Sequence, residues 1–136
     1  DRVAEVILET SALVAIVRQE HDAAVYVAAL EKFGRPLRLS SASYLEAAIV
    51  VDGSRDAILT RRFDVFLEES GIIVEPVTPA QARIAREAYR DFGKGSGHPA
   101  QLNFGDCFAY ALAKDKAEPL LFKGDDFART DVRRAI

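Results

Sequence analysis

Short apolar runs at residues 3–8, 37–39, 72–77 and 119–122 are separated, each from the next, by segments with helical patterning. Apolar-rich runs of this length, set between helical segments, read as strands of a sheet covered on both faces. Parallel strands need a long crossover, usually a helix, between one and the next. The chain therefore reads as α/β, a three-layer α/β/α sandwich around a mostly parallel sheet. In such sheets the chemistry gathers beyond the carboxyl ends of the strands, and that edge is where functional residues are to be sought.

The intervening segments have recognisable boundaries. Ser11 can cap a short helix through Arg18. Residues 21–33 form a helix with Ala23, Val27, Leu30 and Phe33 on one stripe, broken by Gly34-Arg35-Pro36. Residues 42–51 form a helix stopped by Asp52-Gly53, and residues 55–69 another, ended near Gly71. Thr78-Pro79 starts a helix with proline at its first position, facing inward through Ile84, Ala85, Ala88 and Phe92. Residues 93–99 form a glycine-rich loop, 104–114 a helix, and the tail a helical turn with a last strand. No repeat or linker divides the chain, and 136 residues with 49% hydrophobic content suit one domain over residues 1–136.

The formal net charge is −3. A protein gripping nucleic acid through a broad basic surface would be far more basic. Any RNA-directed positive charge must be local or come from a metal. A single cysteine excludes an internal disulfide and suits a reducing compartment. No segment reads as a signal peptide or a bilayer span, so the expected location is the cytoplasm, away from membranes.

Acidic residues fall at the expected edge. Glu9 follows the first strand, Glu46 lies in the helix after the second, Asp106 opens the 104–114 helix, and Asp125 and Asp126 follow the last clear strand. Right-handed crossovers return all of them to one side of the sheet. Each has a structural use as well. Glu46 stands three residues after Ser43, a capping-box spacing; Asp106 complements a helix dipole; Gly124-Asp125-Asp126 is a turn sequence. Glu9 is the exception, since an acid closing an apolar strand has no such use. Taken together, converging carboxylates imply a cation, and oxygen ligands without histidine or cysteine favour magnesium or manganese. His21 and His98 lack metal-ligand spacing. Cys107 reads as a small buried helix residue.

The local sequences carry a resemblance. Val6-Ile7-Leu8-Glu9-Thr10-Ser11-Ala12-Leu13-Val14-Ala15, Ser40-Ser41-Ala42-Ser43-Tyr44-Leu45-Glu46, Leu102-Asn103-Phe104-Gly105-Asp106-Cys107-Phe108-Ala109-Tyr110-Ala111-Leu112-Ala113 and Leu120-Leu121-Phe122-Lys123-Gly124-Asp125-Asp126-Phe127, the last followed by Thr130-Asp131, resemble in order the four motifs of VapC-type PIN domains. The resemblance implies a PIN fold and a metal-dependent endoribonuclease, the toxin of a toxin–antitoxin pair. Its partners would be an RNA substrate, a VapB-like antitoxin and a second copy of itself. The first motif departs from the family, which usually has Asp where this chain has Glu9. In the fourth, Asp126 fits the acidic position better than Asp125.

On that reading Glu9 and Asp106 contact Mg2+ or Mn2+ directly. Glu46 and Asp126 complete the catalytic set through water or at a second ion, with Asp125 as the lesser candidate. Thr10, Ser11 and Asn103 orient the carboxylates, although Ser11 serves equally as a helix cap. Lys123, Arg129 and Lys94 are candidate phosphate contacts or plain solvated surface. A second reading is a catalytically weak PIN-fold module that binds RNA or protein, with Glu9 as the cause. A phosphotransfer domain is a third, disfavoured because Glu9-Thr10-Ser11 lacks an Asp-x-Asp after the first strand.

Overall fold

Val6, Ile7 and Leu8 of the opening strand, β1 (Glu5–Leu8), have no exposed surface, as a central strand requires. The computed structural model describes residues 3–136. After β1 come α1 (Thr10–Val17) and α2 (Ala23–Leu30), β2 (Gly34–Ser40), α3 (Ser41–Gly53) and α4 (Ala57–Glu69). Then follow β3 (Ile73–Glu75), α5 (Pro79–Phe92), α6 (Phe104–Lys116), β4 (Leu120–Leu121) and a 3-10 turn at Phe127–Arg129.

The sheet order is β3-β2-β1-β4 with every pairing parallel. Side chains alternate across it. Val6 and Leu8 enter a core with residues of α1, α2, α3 and α4, while Ile7 enters a second core with α5 and α6. Strands are added in one direction through β3, and the chain then returns to pair β4 with β1. This reversal is what sends α5 and α6 to the opposite face, and it makes the β1/β4 junction the switch point of the sheet.

Several boundaries differ from the sequence expectations. The Gly34-Arg35-Pro36 breaker is itself the start of β2, where Gly34 donates to the Ala4 carbonyl at 2.8 Å and the β1/β2 register shifts. Proline is accepted at a strand's beginning, where its missing N–H costs little. α2 spans less than residues 21–33, and its buried residues are Tyr26, Ala29 and Leu30 rather than Val27. β3 is confined to Ile73–Glu75 at the sheet edge. The last strand is only a single bridge between Leu120 and Arg134. Thr78 caps α5 with Pro79 in the first turn, as expected. No helix among the described residues is long and apolar enough to cross a membrane.

Candidate active site

Glu9 leaves β1 with extended backbone and becomes the N-cap of α1. Its Oε2 accepts the Ser11 N–H at 2.7 Å and also the Ser11 hydroxyl. This corrects the expectation that Ser11 caps the helix: Ser11 lies in the first turn and serves the cap, because the longer glutamate arm folds back over it. The Ser11 hydroxyl oxygen in turn accepts the Lys123 N–H at 2.8 Å, tying the carboxyl ends of β1 and β4 together. Glu9 is only 4% exposed. Burial pushes its carboxyl up to about 7, against the lowering effect of the Ser11 bonds, with Asp106 and Glu46 adding repulsion.

Glu46 is not part of a capping box with Ser43. Ser40 caps α3 by accepting the Ala42 N–H at 3.3 Å, so Glu46 falls in the second turn. Its Oε1 accepts the Thr10 hydroxyl at 2.6 Å. Thr10 and Ser11, adjacent in α1, thus hold two different carboxylates. The Glu46 carboxyl group lies against Gly105, where an added Cβ would stand 2.2 Å from Oε2. Sequence reading missed Gly105; the signal was a glycine inside a helical first turn, where helix propensity opposes it.

Asp106 and Asn103 form a reciprocal capping box. Each side chain accepts the other's backbone N–H at 2.9 Å, which fixes the Asp106 carboxylate at the start of α6. Burial raises the Asp106 carboxyl to about 6; Asn103 opposes this, and Asp126 and Glu46 reinforce it. The Asp125 carbonyl accepts the Ala128 N–H at 3.1 Å within the turn. The turn itself needs Gly124, whose φ is +98°.

Glu9, Glu46 and Asp106 therefore feel one another at the β1/β4 switch point, and Asp126 acts on Asp106. Among the described residues, no three acidic, histidine or cysteine side chains close into a ready-made cage. Burial is the main reason that Glu9 and Asp106 stand above their ordinary range, and the neighbouring carboxylates add to it. An all-oxygen donor set fits a hard divalent ion that retains much of its water shell.

The candidate cations are placed differently. The Lys123 ammonium pairs with Glu20 at 2.6 Å and Asp22 at 3.2 Å. Arg129 donates to the Pro99 carbonyl at 3.2 Å, and Lys94 is exposed in the glycine loop. Cys107 is buried, with its thiol pushed up to about 11 by burial and by Asp106, which excludes a ready nucleophile. Asp131 accepts hydrogen bonds from Tyr110 and Lys114 and anchors the tail to α6.

Residues 6–133 match the PIN domain family. The chain belongs to that family. Within it the chain falls among the VapC ribonucleases: it is 58% identical over 130 residues to ribonuclease VapC28 of Mycobacterium tuberculosis, covering 96% of this chain and 97% of that one. The PIN fold recurs in the crystal structure of M. tuberculosis VapC20, described as a sarcin-ricin loop cleaving toxin. The TM-score there is 0.72 at 13% identity, covering 93% of this chain and 95% of that one. It recurs also in a toxin-antitoxin complex from Klebsiella pneumoniae, with a TM-score of 0.69 at 15% identity and 90% of each chain covered.

Proposed function

We propose that this PIN domain, as a single unit over residues 1–136, is the toxin of a toxin–antitoxin pair and hydrolyses RNA phosphodiester bonds with Mg2+ or Mn2+. The observation that carries the reading is the gathering of held carboxylates at the switch point of the sheet: buried Glu9 caps α1, Glu46 lies against Gly105, and Asp106 follows that glycine in a capping box. Glu9 and Asp106 would hold the ion directly, with Glu46 and Asp126 acting through water and Asp125 in reserve. A bound divalent ion lowers the pKa of a water and offsets charge on the phosphate. The chain's own residues supply position. Ser11 fixes Glu9, Thr10 fixes Glu46, and Asn103 fixes Asp106. Lys94 and Arg129 would contact phosphates, whereas Lys123 would first have to leave Glu20 and Asp22.

Likeness to a toxin–antitoxin complex supports a VapB-like antitoxin as partner. A fitting apolar surface lies between α1, α2 and α4, lined by Ile16, Val17, Ala23, Val27 and Phe66. A homodimer and a cytoplasmic site of action complete the proposal. Brief expression followed by sequencing of new RNA ends tests it. Discrete cuts with the parent and none with Asp106→Asn support a nuclease. RNA retained without cuts favours the weak binding module, the reading that Glu9 in place of Asp keeps open.

A further inference from the structure

Phe104 is the first residue of α6, two positions before Asp106, and its side chain is 77% exposed. Its ring meets Phe108 edge to face, with centroids 4.9 Å apart. Together with Tyr89, itself 44% exposed, these rings line a shallow apolar groove between α5 and α6, whose rim carries Arg86 and Arg90. Arg86 forms no ion pair among the described residues, and Arg90 pairs only with its exposed neighbour Asp91. The glycine loop brings Lys94 to the same end of α6, where the Lys94 N–H donates to the Leu102 carbonyl at 2.8 Å.

A single exposed aromatic is ordinary. An open aromatic face with guanidinium groups at its edge, Arg86 without an ion pair among the described residues, is the arrangement that holds single-stranded nucleic acid, with bases on rings and phosphates on cations. Its position decides the substrate. The first turn of α6 turns Asp106 toward the other carboxylates and Phe104 away from them, into the α5/α6 groove. A strand whose phosphate reached Asp106 would carry a neighbouring base around the helix start to Phe104. We propose that Phe104 stacks a base flanking the cleaved bond, with Arg86 on an adjacent phosphate, and so selects the single-stranded segment that is cut. This rests on the nuclease reading above.

The chain contains no tryptophan, so Phe104→Trp introduces one fluorophore at the groove. In an Asp106→Asn background, a short random-sequence oligoribonucleotide pool should quench its emission at the concentrations where binding saturates by filter retention. Phe104→Ala should weaken that binding about tenfold. With Asp106 intact, Phe104→Ala should raise KM more than it lowers kcat and relax the preference for bases beside the cut. Unchanged emission at saturating RNA would overturn the proposal, as would equal RNA affinity for Phe104→Ala. So would a Phe104→Ala variant that changes from dimer to monomer with unaltered affinity per protomer, since the groove would then belong to a second copy. A parent that neither binds nor cuts the pool removes the nuclease reading first and the stacking role with it; a parent that cuts while Phe104→Ala is indifferent removes only the latter.

Discussion

Ser11 gives both its backbone N–H and its hydroxyl to the same oxygen of Glu9, Oε2. Ser11→Ala removes one of those donors and also the acceptor for the Lys123 N–H. Binding of Mn2+, followed by calorimetry, should weaken about tenfold, and stability should fall by roughly 1–2 kcal/mol. Ser11→Thr keeps the hydroxyl and should keep both properties. An Ser11→Ala variant with parental Mn2+ affinity would show that Glu9 needs no such anchor.

Gly105 and Glu46 give a test that separates function from folding. The added Cβ of Gly105→Ala would displace the Glu46 carboxylate, the movable end of a side chain, while alanine is the better helix former by about 1 kcal/mol. Thermal stability should hold or rise while RNA cleavage falls at least about tenfold. Stability and cleavage falling together would mean that the contact is structural only.

The raised acids set a pH dependence for the metal-free protein. Glu9 and Asp106 titrate at about 7 and about 6 in the folded chain, above the ordinary carboxylate range of the unfolded one. Folding therefore favours their protonated forms. The stabilisation is complete below about pH 4 and is lost as pH rises through about 6 and 7. Other acids work in the opposite sense at the low end, so the clean window is pH 5 to 8. In chelator, the melting temperature should fall across that window, and Glu9→Gln should flatten the fall. Excess Mg2+ should reverse it, since the ion competes with protons for the same oxygens. A melting temperature that is level from pH 5 to 8 in chelator contradicts the raised titration of Glu9 and Asp106.

How far the site can be read from sequence differs from residue to residue. The apolar strand before Glu9 and the helix start at Asp106 place both acids at one sheet edge, and the parallel order β3-β2-β1-β4 accounts for their convergence. The fold class is legible because short apolar-rich segments alternate with helical ones along the chain. The cap of α1 was not legible, because Glu is a poor N-cap by propensity and takes the role here only through Ser11. The role of Ser43 was misread because α3 begins two residues earlier, at Ser41, where Ser40 is the better-placed cap. Lys123 looked like a phosphate contact because Glu20 and Asp22 are about a hundred residues distant in sequence and meet it only in the folded chain. β2 defied its Gly-Arg-Pro sequence because tertiary pairing with Ala4 outweighed a local break.

Glu9 is the residue on which activity should turn. Glu9→Gln removes the charge at constant size and keeps an acceptor for Ser11, so the fold should persist while cleavage disappears. Glu9→Asp retains charge and is a better N-cap. It should cut RNA within about tenfold of the parent, with a shifted balance between Mg2+ and Mn2+, read from initial rates in each metal. A Glu9→Asp protein far more active than the parent would identify this chain as an impaired nuclease.

The most direct measurement is cleavage of an RNA panel by the purified protein in Mg2+, in Mn2+ and in EDTA, with Asp106→Asn alongside. Discrete products in either metal, none in EDTA, recovery when Mn2+ is returned in excess and at least a hundredfold loss in Asp106→Asn, roughly the loss of one essential ligand, are the predicted results. Undiminished cleavage in EDTA, or by Asp106→Asn, would contradict a carboxylate-held metal centre in this PIN domain.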